Sequence, residues 1–309
     1  MSNPKSVAGK AVVITGASSG LGRGAALALA GLGANVVVAA RRGDVLDELV
    51  QEVTAAGGTA IAVVADVSDP DDVTRLAATA IERFSRIHVW VNNVGIGAIG
   101  LFWDIPIEAH ARVIDVNLKG LVYGAHVALR HFRSEGGGVL VNVGSIDSEV
   151  PLAYQASYAA SKAAVLSLSR TLNEELRLSG AHETIKVGTI MPWAVDTPWW
   201  THAANYSGRT ARMAAMDDPS IVVDAIVAAC TNPKEEQPVG AKARTADISH
   251  HLFADLTERL SAKTADAESK KGGPLPATDG SIHEPSPDGT TVDGGIRERM
   301  KREDAAPTD

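Results

Sequence analysis

Up to Cys230 the chain alternates short runs of Val, Ile and Ala with longer amphipathic stretches, and this rhythm constrains the fold more than any other feature. Six runs read as strands: Ala11–Thr15, Asn35–Ala40, Thr59–Val64, His88–Val91, Val139–Val143 and Ile185–Met191. Each is short, apolar and rich in β-branched residues, the pattern of a strand buried on both faces. Helical stretches lie between them at Leu21–Leu32, Asp44–Ala56 and Pro70–Phe84, with two more between Ile107 and Arg133. Another spans Tyr158–Leu178, where Val165, Leu168, Leu172 and Leu176 recur at helical spacing. Repeated strand–helix–strand units predict parallel strands joined by right-handed crossovers, that is, an α/β doubly wound parallel sheet. Aromatics are 4% of the 309 residues, so the core is expected to be built from small and branched aliphatic side chains.

The composition changes after Cys230. One catalytic-size domain over residues 8–230 is therefore expected, followed by a C-terminal extension over 231–309. Within the extension, Asp247–Ala267 reads as an amphipathic helix with Leu252, Phe253, Leu256 and Leu260 on one side. Lys271–Gly295 is dense in Gly, Pro, Ser, Thr and Asp, and reads as an extended or disordered arm. Arg297–Glu303 reads as a charged helical patch. No internal repeat is evident.

A formal net charge of −8 argues against a nucleic-acid partner or an anionic membrane surface, both of which need a positive field. Cys230 is the single cysteine, so no internal disulfide can form. Met1–Lys10 holds no apolar segment of signal-peptide length, and no run reaches the ~18 apolar residues of a membrane span. A soluble cytoplasmic protein is the expectation. His250 and His251 have no cysteine or carboxylate at ligand spacing, so they read as surface histidines and no metal is expected.

The first strand runs directly into Thr15-Gly16-Ala17-Ser18-Ser19-Gly20-Leu21-Gly22, and a helix follows. Glycines let a backbone turn tightly and approach a pyrophosphate, while the helix N-terminus presents N–H groups and a positive dipole end. At this position Gly16, Ser18, Ser19, Gly20, Leu21 and Gly22 read as a dinucleotide-phosphate site. The second strand bears on which dinucleotide. An acid at its end would hold a ribose 2′-hydroxyl. Here Ala40 is followed by Arg41 and Arg42, whose guanidinium groups would attract a 2′-phosphate. NADP(H) is therefore preferred, with NAD(H) as the alternative because Asp44 is close enough in sequence to reach a ribose.

Four further elements follow in order. Asp66-Val67 ends the third strand and Asn92-Asn93-Val94-Gly95 the fourth. Ser145 follows the fifth, and Tyr158-Ala159-Ala160-Ser161-Lys162 opens the long helix. Together with the glycine turn, this set resembles the short-chain dehydrogenase/reductase family in its single-domain, Rossmann-type form, over about residues 8–230. The resemblance implies Asn117, Ser145, Tyr158 and Lys162 as catalytic residues. It implies cofactor contacts from Asp66, Val67, Asn93 and Gly95, from Tyr158 and Lys162, and from Pro192, Val195 and Thr197 after the sixth strand. It also implies assembly as a homo-dimer or homo-tetramer through the helices around Asn117–Arg133 and Tyr158–Leu178. Two positions depart from the family pattern: Val94 replaces the usual alanine, and Trp193 follows Pro192 where glycine is usual.

The resemblance implies hydride transfer between a nicotinamide and a small-molecule ketone or secondary alcohol. Tyr158 would act as general acid or base. A phenol's ordinary value is about 10, and Lys162 lies four residues further along the same helix, so its ammonium is expected to lower that value. Ser145 would hold the substrate oxygen, and Asn117 a water linked to Lys162. Trp193, Trp199 and Trp200 suggest an apolar or aromatic-accepting substrate pocket, and Asp147 and Glu149 lie close enough to Ser145 to tune specificity. The competing readings keep the fold and change the role, to a non-catalytic NADP-binding sensor or scaffold, or to epimerisation or dehydration.

Overall fold

The computed structural model describes residues 6–305. In chain order the elements begin β1 (Ala11–Thr15), α1 (Gly20–Gly31), β2 (Asn35–Ala40), α2 (Gly43–Ala55), β3 (Thr59–Val64), α3 (Pro70–Phe84) and β4 (Val89–Asn92). They continue with β5 (Ala98–Ile99), α4 (Ile107–Ile114), α5 (Gly120–Glu135), β6 (Gly138–Val143), α6 (Ala156–Leu178) and β7 (Ile185–Pro192). The last are α7 (Trp199–His202), β8 (Ala204–Asn205), α8 (Pro219–Ala229), β9 (Glu236–Val239), α9 (Gly240–Lys271) and α10 (Ile296–Ala305).

Seven strands form one parallel sheet in the order β3-β2-β1-β4-β6-β7-β9. Successive side chains point to opposite faces, so each strand feeds two cores. Val12, Ile14, Val36 and Val38 pack with Ala25, Leu29, Leu46, Leu49 and Ile226 on one face. Val13, Val37, Trp90 and Leu140 pack with Val73, Leu76, Ala128, Phe132 and Leu176 on the other. The strand order reverses between β1 and β4, and such a switch opens a crevice at the carboxyl ends of the strands. The doubly wound sheet expected from the strand–helix rhythm is the fold observed.

The seventh strand, β9, has no sequence signal. Its residues are Glu, Gln, Pro and Val, not an apolar run. It pairs with β7 from Thr189↔Glu236 to Pro192↔Val239 at the sheet edge, where Pro238 needs no second ladder partner.

One polar chain crosses the core beside the crevice. Trp90 Nε1 donates to Asn92 Oδ1 at 2.7 Å, and Asn92 Nδ2 to Asn142 Oδ1 at 3.0 Å. Asn142 Nδ2 then donates to Ser169 Oγ at 3.0 Å, tying β4 and β6 to α6. Buried polar groups are stabilising only when paired, so Asn142→Leu strands partners on both sides. Urea unfolding of this variant is expected to show a loss of about 1–3 kcal/mol. Unchanged stability would show that the chain contributes nothing.

Within residues 231–309, β9 joins the sheet and α9 follows it, kinking at Phe253 (φ −145°, ψ 61°). Its apolar residues Leu252, Phe253, Leu256 and Leu260 are exposed rather than packed on the domain. Beyond α9 the arm of residues 272–295 has no regular structure, yet it is tied down along its length. Ser281 N donates to His202 O at 2.8 Å, and Asn205 and Thr278 pair antiparallel. At its end Asp196, which is 1% exposed, accepts from Ile296 N at 2.7 Å and from Arg297 N at 2.9 Å, fixing the start of α10.

Candidate active site

The crevice begins at the turn between β1 and α1. Gly16 has φ +69°, a conformation that favours glycine. A Cβ on Gly22 would lie 2.3 Å from Gly16 O and 2.5 Å from Asn93 Nδ2, so the turn closes only with glycine there. Asn93 clamps the turn from β4, donating through Nδ2 to Thr15 O at 3.0 Å and Gly16 O at 3.2 Å. Gly22 thus shapes the turn from behind.

A single cavity of about 260 Å³ runs from this turn to the end of α6. Gly16, Ser18, Ser19, Gly20, Leu21, Arg41, Arg42, Asp66, Val67 and Asn93 line it toward the turn, with Thr197 beside Gly20. Ser145, Tyr158 and Lys162 line it toward α6, with Gly95 beside Lys162, and Pro192 and Val195 complete the lining. Of the residues singled out in the sequence, Gly22 and Asn117 stand behind the wall. Asn117 lies in a π-helical turn, Asp115–Lys119, between α4 and α5. Its side chain accepts from Ile96 N at 2.8 Å and donates to Ile96 O at 2.9 Å and Ser161 Oγ at 3.0 Å. It therefore pins the loop after β4 against α6.

Asp66 is held in place by two neighbours. Its carboxylate accepts from Ser68 N and Oγ at 2.9 and 2.7 Å, and from Arg112 Nη2 at 2.6 Å. Burial alone would raise the Asp66 carboxyl, but the Ser68 and Arg112 hydrogen bonds outweigh it and hold the group below its usual range. Arg112 gave no signal in the sequence, where it reads as an ordinary helix cation.

Ser145 caps a short 3₁₀ turn, Ile146–Ser148, and its Oγ accepts from Asp147 N at 3.1 Å. Lys162 Nζ donates to Val143 O at 2.8 Å and lies 5.6 Å from the centre of the Tyr158 ring. Burial pulls the Lys162 ammonium down to about 8, against the Asp147 charge that raises it. The expected lowering of the Tyr158 phenol is not what the chain by itself produces. Burial first, and the Asp147 carboxylate second, push the phenol above its ordinary value, while the Ser145 hydroxyl acts in the opposite sense. Helical spacing carries no information about burial, which disfavours the phenolate.

Trp199 stacks obliquely on Tyr158 with ring centres 5.2 Å apart, and meets Trp200 edge-on at 5.0 Å. With Trp193, Val150, Leu152 and Met213 they make the catalytic end of the cavity largely apolar.

The arm arches over the other end. Arg41 donates to Ser281 O at 2.6 Å and His283 O at 2.5 Å, and Arg112 Nε to Ile282 O at 3.0 Å. Arg42 donates to Asp288 O at 2.9 Å and Ser286 O at 3.1 Å, and also to Ser18 Oγ. Gly20 N, in the first turn of α1, donates to Thr291 O at 2.9 Å. Both arginines thus face the cavity and carry carbonyl ligands from the arm. No spacing or motif in the sequence announced these long-range contacts.

These residues fit a dinucleotide: a tight glycine turn in which Gly22 leaves no room for a Cβ, a helix N-terminus, and a cavity that reaches Tyr158. Comparison with known proteins agrees. The short chain dehydrogenase family model matches residues 10–206. An uncharacterized oxidoreductase of Bacillus subtilis is 36% identical over 262 residues, covering 84% of this chain and 73% of the relative. Among solved structures, a 3-ketoacyl-(acyl-carrier-protein) reductase from Brucella melitensis complexed with NADH has a TM-score of 0.67 at 28% identity, covering 77% of this chain and 100% of that one. An alcohol dehydrogenase from the archaeon Thermococcus sibiricus complexed with 5-hydroxy-NADP has a TM-score of 0.61 at 27% identity, covering 71% and 88%. With the family model matching well over half of its length, the chain belongs to the short-chain dehydrogenase family of oxidoreductases, whose structural neighbours carry nicotinamide dinucleotides.

Proposed function

We propose that the chain is an NADP(H)-dependent carbonyl reductase or alcohol dehydrogenase in which Tyr158 moves the proton. The observation that carries this reading is the meeting of Ser145, Tyr158 and Lys162 in the cavity that begins at the glycine turn. The nicotinamide, when bound, supplies or accepts the hydride. Ser145 Oγ and the Tyr158 hydroxyl converge on the carbonyl oxygen. The phenol proton passes to that oxygen as it gains charge, and Ser145 keeps it in place. A phenol held above its ordinary value is fully protonated at neutral pH, which suits reduction. Lys162, one helical turn away, offers its positive charge to the phenolate left behind. Arg41 and Arg42 support a 2′-phosphate, hence NADP(H) over NAD(H). Soluble homo-dimers or tetramers formed through α5 and α6 complete the proposal, and a monomeric elution profile would contradict that part. The test of activity is a panel of ketones and secondary alcohols, followed by the near-ultraviolet absorbance of reduced nicotinamide. Turnover with NADPH ahead of NADH is expected, and no turnover with either would overturn the reading.

The arm contributes to this site as a strap. Ser281, Pro285 and Ser286 of the arm line the cavity, so a bound cofactor would be partly covered by the strap and its release would be slowed by it. A Cβ on Gly294 would lie 2.4 Å from the Thr197 carbonyl, so Gly294→Val cannot seat the strap as observed. Stopped-flow fluorescence of bound NADPH is expected to show dissociation about tenfold faster or more in this variant, equivalent to the loss of one to two kcal/mol of strap contacts. An unchanged rate would show that the strap does not retain the cofactor.

A further inference from the structure

We infer that Asp147 and Gln155 form a polar subsite that selects substrates carrying a hydroxyl group close to the reacting carbon; this rests on the carbonyl–alcohol reading above. Both side chains are buried, at 9% and 6% exposure, and both line the cavity that holds Ser145 and Tyr158. Asp147 sits two residues past Ser145 in the 3₁₀ turn, its N–H given to Ser145 Oγ. Gln155 caps α6 three residues before Tyr158 and makes no side-chain capping bond. Among the described residues, neither the Asp147 carboxylate nor the Gln155 amide has a hydrogen-bond partner. Neither is sealed away from the cavity, unlike the enclosed unpaired atoms such as Ser157 Oγ.

A buried carboxylate without a partner is costly, and native structures pair such groups. Much of the remaining wall is indole, aliphatic or thioether, from Trp193, Trp199, Val150, Leu152 and Met213, and no side chain among the described residues bonds the Asp147 carboxylate. Lys162 acts on Asp147 through its charge alone: its Nζ donates to Val143 O, and no hydrogen bond joins it to the Asp147 carboxylate among the described residues. Burial pushes the Asp147 carboxyl up to about 7, against the Lys162 charge, so the group lacks full stabilisation as an anion. The missing partner is a donor brought in by the ligand. A hydroxyl next to the carbinol carbon supplies it, with Gln155 receiving a further hydroxyl, while the carbon skeleton packs on the indoles. The substrate class is therefore a vicinal hydroxyketone or diol, such as a cyclic polyol, rather than a monofunctional ketone. A site that hydrogen-bonds a substrate hydroxyl discriminates strongly against the analogue lacking it, because its buried polar groups are then left unpaired.

The experiment uses the full chain with NADPH and two probes of one skeleton, cyclohexanone and its hydroxyl-bearing analogue with the hydroxyl on the adjacent carbon. The wild type is expected to prefer the hydroxyketone by about 10²-fold or more in kcat/KM. Asp147→Leu is expected to collapse that ratio toward unity, and Asp147→Asn to give an intermediate ratio. A wild type without preference, or a variant in which both ketones fall together and the ratio stands, would overturn the inference; the latter would mean that Asp147 acts only through Lys162 and Tyr158. A readout without turnover uses the cavity tryptophans. Vicinal cyclohexanediol, and not cyclohexanol, is expected to quench their fluorescence in wild-type protein with NADPH, and equal quenching by both would again overturn it. Absence of turnover with every carbonyl would count against the proposed reaction alone, while loss of selectivity with turnover intact would count against the subsite alone.

Discussion

Tyr158→Phe is expected to lower kcat by about 10²–10⁴-fold, the range ascribed to a positioned general acid or base. The variant removes one oxygen and leaves the ring, so the packing on Trp199 at 5.2 Å is preserved. The cofactor cradle at Gly16–Gly22 lies at the other end of the cavity and should keep its affinity, read by the fluorescence of bound NADPH. The loss should therefore appear in the chemical step under single-turnover conditions, with binding unchanged. Burial adds to the expected size of the effect. The phenol is held above its ordinary value by its surroundings, so it is present as the protonated donor at neutral pH. Near-normal turnover in Tyr158→Phe would remove Tyr158 from the mechanism.

Arg41→Asp is expected to weaken NADPH by about 10²–10³-fold relative to NADH, the scale of losing one partner of a buried, hydrogen-bonded charge pair. Arg41 has two roles that must be separated. Its guanidinium holds Ser281 O and His283 O of the strap, so the substitution loosens the arm as well as the proposed phosphate contact. Loss of the strap affects both cofactors alike, whereas only NADPH carries a 2′-phosphate. The ratio of the two dissociation constants, measured by titration, isolates the phosphate contribution. The carbonyl ligands are neutral, while Asp66 and Glu284 offset part of the Arg41 charge and Arg112 opposes it. Equal losses for the two cofactors would assign Arg41 to the strap alone and undo the preference for NADP(H).

Most of the α/β sheet was legible in the sequence because its first six runs are predominantly apolar and β-branched, a pattern that β3 keeps although it lies at a sheet edge. The edge strand β9 escaped for the converse reason: one side of it is exposed, so Glu236 and Pro238 carry no strand signal. At the site, most residues legible in the sequence lie on local motifs at strand ends or, for Tyr158 and Lys162, in the first turns of α6, where the order of elements along the chain dictates position. What stayed hidden depends on contacts far apart in sequence. Arg112 reaches Asp66 across 46 residues, and Arg41 reaches Ser281 across 240. The arm is dense in Gly, Pro and Ser, a composition that reads as disorder, and it is placed instead by backbone hydrogen bonds to arginines and to Asp196. The phenol's upward displacement was also illegible, because spacing shows that Lys162 is near but not how far desolvation and the Asp147 carboxylate act on the phenol.

The central claim is that hydride moves between a nicotinamide and a substrate carbon in the cavity that ends at Tyr158. The most direct test is a single turnover of the wild-type chain with NADPH deuterated at both positions of the nicotinamide reducing carbon, the vicinal hydroxyketone as substrate, and mass analysis of the product. An alcohol carrying deuterium on the newly formed carbinol carbon is the expected result. An unlabelled alcohol, or bound NADPH that stays reduced beside every carbonyl offered, would contradict the account.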